Sequence, residues 1–415
     1  MTFKKVKVLK MEKVNGGICA AKGFKAAGIH CGIRKNKTKR DLALIMSDVK
    51  AAAAATYTTN LVKGAPITVT KKNIADGFAQ GVICNSGNAN TCNANGIEIA
   101  EAMCELCEKH TDVKANDIIV ASTGVIGQPL DITPIANGME ALVGDLTYDG
   151  SLRAAEGIMT TDTRVKEIAY KFNVGGKECT IGGIAKGSGM IHPNMATMLV
   201  FITSDVAIKP EILQKALSAD VQDSFNMVSV DGDTSTNDMC CVLANGLAGN
   251  SVIDSVDSDD YKAFQKALFA VTSYLCRMIA RDGEGATRLM EVTVSGAASK
   301  DVAKVVAKSV ACSSLLKAAI FGADANWGRV LCAIGYSGAE LDVNKVGVSF
   351  QSKAGTIEVC RNGAGVDFSE EIAKEILLEE EIKILITLDS GDATATAWGC
   401  DLTYDYVKIN GDYRT

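Results

Sequence analysis

Thr197 follows Ala196 directly, and its hydroxyl lies within reach of the carbonyl of the residue before it. Attack there would move the acyl group from nitrogen to oxygen. The resulting ester hydrolyses more readily than the amide, so this Ala-Thr bond is a candidate for self-cleavage if the fold strains the loop and stabilises the oxyanion. Gly187, Gly189 and Pro193 are suitable hinges, and Ala196 is small enough to leave its carbonyl open. Cleavage would give Thr197 a free α-amino group with a reference pKa of about 7.7–8.0, able to take the hydroxyl proton near neutrality. Nucleophile and base would then sit on one residue. That suits a chain with three histidines, His30, His110 and His192, none in an evident Ser-His-Asp arrangement. On propensity alone the rival reading is a buried threonine opening an ordinary strand.

Lys186 lies across the glycine loop from Thr197. Its ammonium suits a substrate carboxylate or the tuning of a nearby amine; the alternative is a solvated loop lysine. Residues 182–188 fail as a phosphate loop, because lysine must follow the second glycine and Ser188 stands there. At residues 122–127 a strand ends in STGVIG. Here the Thr123 hydroxyl and the Gly124 N–H can turn toward one point, as an oxyanion requires, or form a plain turn.

The elements that must place these groups are legible in outline. Residues 165–174 alternate with Ile168, Tyr170, Phe172 and Val174 on one face, Gly175-Gly176 makes a hairpin turn, and residues 179–184 form the partner strand. Residues 197–202 are a short apolar run expected as a buried strand. Earlier, residues 42–46, 67–69 and 81–84 read as β-prone, and the alanines at 51–55 are expected to open a helix. The loop NSGNAN at 85–90 is either functional or a turn. Helices are expected at Gly96–His110, 134–142, from 151 toward 163, 210–225, Asp259–Arg281, 302–310 and 369–380. Strands are expected from Leu289, at 382–388 and at 394–406, with residues 322–328 a loop. Strands and helices mixed without a strict βαβ rhythm predict a layered α/β fold with mixed sheets.

Composition narrows the function. The 415 residues are 47% hydrophobic, enough for a sizeable core. A net charge of −6 and 5% aromatics offer no basic face or stacking platform, so nucleic acid is not an expected partner. No apolar run approaches the roughly 18 residues of a membrane span. The N-terminal MTFKKVKVLKMEKV lacks the features of a signal or transit peptide and reads as a first strand. The 14 scattered cysteines point to reduced thiols in the cytoplasm. Cys104 and Cys107 form a C-x-x-C pair, read as two thiols on one buried helix face because no second ligand pair follows. The acidic turn at 231–235 lacks the glycine and the glutamate of a calcium loop, so no metal is expected.

The segments NSGNAN, ASTGVIG, MTTDT, AKGSGMIHPNMATML, VDGDTSTND, RDGEGATR, GADANWGR and INGDYRT occur in this order along the chain. The set resembles the ornithine acetyltransferases, also called glutamate N-acetyltransferases, of arginine biosynthesis. The resemblance implies cleavage between Ala196 and Thr197, with Thr197 as nucleophile and acetyl carrier. It implies the Thr123 hydroxyl and Gly124 N–H as the oxyanion hole. It further implies Thr160, Lys186, Thr197, Glu284, Asn410 and the terminal Thr415 as substrate contacts, with Thr160 preferred to Thr161. Gly411 departs from the alanine common in relatives and softens the placing of Thr415.

The implied reaction passes acetyl from acetylornithine to glutamate without a metal or nucleotide, with acetyl-CoA possible as a further acetyl donor. The expected fold is an α-β-β-α type core over residues 1–285 and a C-terminal α/β domain over 286–415 whose tail reaches the active site. Segments 1–196 and 197–415 are expected to pair as α2β2. The rivals are a self-processed amidase or aminopeptidase, in which water is the acceptor, and an unprocessed metabolite-binding protein.

Overall fold

The computed structural model describes residues 11–192 and 198–412. Pro193, Ala196, Thr197, Thr415 and most of the expected first strand lie outside the described residues. Among those described, nine strands form one sheet and six form a second. The first draws its strands from Glu12 to Ala244, the second from Leu289 to Cys400.

The larger sheet turns on one long strand, Leu42–Tyr57. Its first half pairs with Phe24–Ile29 and Phe78–Asn88, its second half with Met239–Ala244, and the register shifts between Met46 and Ala51. Because side chains alternate along a strand, each half faces two ways. Leu42 and Leu44 pack with Met103 and Met139 of helices Gly96–His110 and Thr133–Gly144. Ala43 and Ile45 face inward, where Ala53, Ala55, Leu199, Phe201 and Cys241 join them. Ala52, Ala54, Val200 and Ile202 face outward again, against Leu213 and Leu268 of helices Pro210–Asp220 and Asp259–Arg281. The sequence of layers is helix, half-sheet, half-sheet, helix. Parallel and antiparallel pairings both occur, so the sheet is mixed, as expected.

The alanines at 51–55 are therefore strand, not helix. Both their faces are buried, and small side chains let the layers approach; pairing on two sides outweighs the intrinsic helix preference of alanine. Residues 67–69 are corrected the other way, to part of helix Ala65–Asn73, which Pro66 opens in its first turn. The strand expected to reach 406 stops at Cys400, and Tyr404–Asp412 is a helix. Helices Ser314–Phe321 and Trp327–Gly335 were not expected; the side chain of Asn326 caps the second by accepting from Arg329 N–H. The helix expected over 210–225 ends at Asp220.

For the hairpin before the glycine loop and the strand after Met198 the sequence reading holds. Strands Lys166–Val174 and Lys177–Lys186 form the hairpin, with Gly175 and Gly176 at φ of 56° and 84°, the left-handed pair such a two-residue turn requires. Strand Leu199–Ser204 lies between Lys177–Lys186 and Met239–Ala244. Cys104 and Cys107 are both buried on one face of their helix.

Candidate functional site

Three neighbouring strands end in one row. Lys186 pairs with Leu199, and Leu199 pairs with Met239. Just beyond that row a cavity of about 230 Å³ opens, with Lys186, Met198 and Asp238 along its lining. Strand Ile118–Val125 brings Thr123 and Gly124 to the same cavity. The Lys186 ammonium donates to the Thr123 hydroxyl at 3.2 Å, and both side chains are buried. Lys186 is thus the last residue of a strand and not a solvated loop lysine.

Gly124 is glycine for a geometric reason. Its φ is +131°, and a Cβ there would stand 2.3 Å from the Gly87 carbonyl carbon. Gly87 and Gly124 pair across two parallel strands, so the NSGNAN segment braces the Thr123-Gly124 corner. Asn88 Oδ1 accepts from Asn90 N–H at 2.8 Å, and Asn85 Nδ2 donates to the Asn88 carbonyl at 2.9 Å. Asn237, beside Asp238, donates to the carbonyls of Ala89 and Ser122 at 2.6 and 2.9 Å.

A buried ionic cluster lies behind the Thr160 turn and the glycine loop. Lys166 Nζ lies 2.7 Å from Asp162 and 2.5 Å from Asp282, all three side chains almost wholly buried. Asp162 also accepts from Thr160 N–H at 3.0 Å and from Gly187 N–H at 2.7 Å. Burial pushes its carboxyl up, but the Lys166 and Lys186 ammonium groups and the Gly187 N–H hold it below the usual carboxylate range. The Asp282 carbonyl accepts from Ser188 Oγ at 2.6 Å, and Glu284 N–H donates to the Ser188 carbonyl at 3.0 Å. One lysine and two aspartates thereby pin the Thr160 turn and the glycine loop together.

At the mouth, Asn410 of helix Tyr404–Asp412 donates to Glu284 Oε2 at 2.8 Å. A Cβ on Gly189 would fall 2.3 Å from the same oxygen, so a side chain there would displace the Glu284 carboxyl from the loop. Asp231, from the turn weighed as a calcium loop, accepts from Met190 and Ile191 N–H at 2.6 and 2.9 Å.

Of the residues expected from sequence, Thr123, Gly124, Thr160, Lys186, Glu284 and Asn410 therefore meet at one cavity. Thr161 lines it beside Thr160, so position does not separate the two. Ala196, Thr197 and Thr415 lie outside the described residues, although Met198, bonded to Thr197, lines the cavity. Asp162, Asn237, Asp238 and Asp282 were not singled out, and Asp231 was weighed only as part of a calcium turn. Their signal was available only as segments of the resemblance, MTTDT, VDGDTSTND and RDGEGATR.

In this arrangement a hydroxyl and an N–H can face a developing oxyanion, an ammonium can meet a carboxylate, and a carboxylate with an amide can receive an ammonium. No cluster able to hold a metal ion occurs among the described residues. No helix among them is long and apolar enough to cross a membrane.

Comparison with known proteins adds the family. The model of the ArgJ family matches residues 25–415. The arginine biosynthesis bifunctional protein ArgJ 1 of Clostridium acetobutylicum is 51% identical over 393 residues, covering 94% of this chain and 96% of that protein. The ArgJ protein of Caldanaerobacter subterraneus is 48% identical over 406 residues, covering 98% and 100%. Among solved structures, an ArgJ protein from Bacillus halodurans is 48% identical and covers 51% of this chain and 98% of its own, at a TM-score of 0.49. The ornithine acetyltransferase of Mycobacterium tuberculosis, complexed with ornithine, is 33% identical and covers 45% and 100%, at a TM-score of 0.41. With its family model matched over nearly the whole length and relatives at about half identity end to end, this chain belongs to the ArgJ family and is an acyltransferase.

Proposed function

We propose that the chain cuts itself between Ala196 and Thr197 and then uses Thr197 to carry acetyl from acetylornithine to glutamate. Its relatives are arginine biosynthesis bifunctional proteins, and this reading gives the present chain the same place in metabolism. The observation that carries it is the convergence of Thr123, Gly124, Lys186, Glu284 and Asn410 on one cavity, beside the strand that follows Thr197.

In the first half-reaction the Thr197 hydroxyl attacks the acetyl carbonyl, and its own α-amine takes the proton. Thr123 and Gly124 hold the oxyanion. Lys186 receives the α-carboxylate, Glu284 and Asn410 receive the ornithine ammonium, and ornithine leaves. Glutamate then enters the same cavity and takes the acetyl group from the ester. Thr160 and Thr415 complete the substrate contacts. The proposed chemistry needs no metal or nucleotide, and acetyl-CoA is a second donor for the same threonine. Segments 1–196 and 197–415 stay associated, as α2β2, in the cytoplasm.

Two measurements test this. Intact mass of the purified protein should show two segments in place of one chain of 43.6 kDa. Thr197→Ala should remain a single chain without activity, and Thr197→Ser should retain part of both. Ornithine release from acetylornithine should depend on glutamate; equal release without glutamate would make water the acceptor and the enzyme an amidase. An intact chain with no turnover would leave a binding protein.

A further inference from the structure

The carboxyls lining the cavity differ in what they bind. Asp231 accepts two backbone N–H groups and Glu284 accepts from Asn410. Asp233 is exposed to water. Asp238 is 2% exposed, and its Oδ2 is buried with no hydrogen-bond partner among the described residues. Such an oxygen costs stability, and folds rarely keep one without use.

Its place is specific. Asp238 immediately precedes Met239, which pairs with Leu199 and through it lies in the row of Lys186. It therefore lines the cavity at the row of strand ends that carries Lys186, with Thr123 and Gly124 on the same lining. Burial pushes its carboxyl well above the usual carboxylate range, against the pull of the Lys186 charge and a hydrogen bond from Ser235. A carboxyl with its proton affinity raised in this way, on the lining of the cavity, can exchange a proton with a bound amine.

Acyl exchange between amines needs such a group. The acceptor arrives as an ammonium and must lose a proton to attack. The departing amine is released neutral and leaves as an ammonium. Resting on the acyl-transfer reading above, we propose that Asp238 is the proton carrier between these two amines.

In the accepting half-reaction, the Asp238 carboxylate takes one proton from the incoming ammonium and becomes the acid. The free amine attacks the acyl ester, the new C–N bond forms, the C–O bond breaks, and the second nitrogen proton goes to the released hydroxyl. In the next donating half-reaction the hydroxyl proton passes to the departing nitrogen as the C–N bond breaks. Asp238 then returns its proton to that amine. Each cycle borrows one proton and gives one back, so no outside base is consumed.

The test is Asp238→Asn in the full chain, which keeps shape and polarity but cannot carry the proton. Steady-state kinetics with acetylornithine and glutamate should show kcat lower by about a hundredfold or more. Both KM values should stay within about threefold and the Tm should be unchanged or raised, because an amide relieves the cost of burying a carboxyl with one oxygen unpartnered. A kcat within threefold of wild type would overturn the proposal. So would a fall in Tm accompanied by a rise in KM, which would mark a structural residue. A variant that fails to split would place Asp238 in maturation and overturn it equally. Wild-type protein that releases no ornithine would sink the transfer reading itself; active wild type with an unaffected variant sinks only this one.

Discussion

In the six-stranded sheet, strands Leu289–Ala297 and Glu381–Thr387 run parallel and bury Val292, Val294, Ile382, Ile384 and Ile386. Past Leu289 the buried polar side chains among the described residues are Ser313, Lys317, Asp401 and Thr403. Three of these four bond at or next to residues 285–288, where the chain enters the second sheet. Asp401 accepts from Thr287 and Arg288 N–H, Thr403 Oγ1 donates to the Gly285 carbonyl, and Lys317 donates to the Cys400 carbonyl.

The nine-stranded sheet buries Asn85, Asn88, Asn90, Ser122, Thr123, Lys166, Lys186, Asn237 and Asp238, at or just beyond the ends of strands. Desolvating polar groups weakens a fold unless they are paired. Polar burial is therefore sparse in the smaller sheet and denser in the larger one, where part of it surrounds the cavity and part, Asp220 for example, lies elsewhere. The smaller sheet supports; the larger one also holds chemistry.

The contrast is broken most severely at Lys166. Lys166→Met would leave the Asp162 and Asp282 carboxylates facing each other in a dry interior. Stability should fall by about 3–5 kcal/mol, as when one partner of a buried pair is removed. Transfer should be lost as well, because Asp162 orients the Thr160 and Gly187 N–H groups. Chemical denaturation alongside ornithine release checks both. A stable, active Lys166→Met protein would show that the cluster does not position the site.

Ile384→Ala is the matching cut in the supporting sheet. Ile384 is fully buried, so the cavity should cost about 2–5 kcal/mol. Here kcat should stay at the wild-type value at a temperature where the variant is folded. Loss of kcat without loss of stability would mean that the second sheet participates in the reaction beyond supplying Tyr406 and Asn410 through its tail.

How much of this was written plainly in the sequence follows from how local each signal is. The hairpin 166–186 and helices Gly96–His110 and Asp259–Arg281 were legible because period and turn chemistry agree within one segment. Alanines 51–55 misled, since their strand state depends on partners almost 30 and almost 190 residues away along the chain, Ala79 and Cys241 among them. The tail helix 404–412 was missed because it carries no buried residue and hence no apolar stripe. At the site, the Thr123-Gly124 step was visible as a strand end. Asp238 was not, because a carboxylate in a polar run looks solvated until the fold buries it.

Asp220 gives the smallest effect and separates buried polarity that serves the site from buried polarity that does not. It ends helix Pro210–Asp220, away from the cavity lining, with Ser224 Oγ donating to its carboxylate at 2.9 Å. Burial raises its carboxyl to about 7, against hydrogen bonds from Thr272 and Ser224. The native state thus keeps a proton that the unfolded chain, titrating near 3.8, has already released. Stability therefore falls as pH rises from about 4 to about 7 and levels off above. Asp220→Asn removes this dependence: its Tm should exceed that of wild type by more at pH 8 than at pH 5, with kcat unchanged at either. Scanning calorimetry at the two pH values decides it. An equal gap at both would mean that the carboxyl is ionised throughout, and a change in kcat would extend the polar network of the site to this helix end.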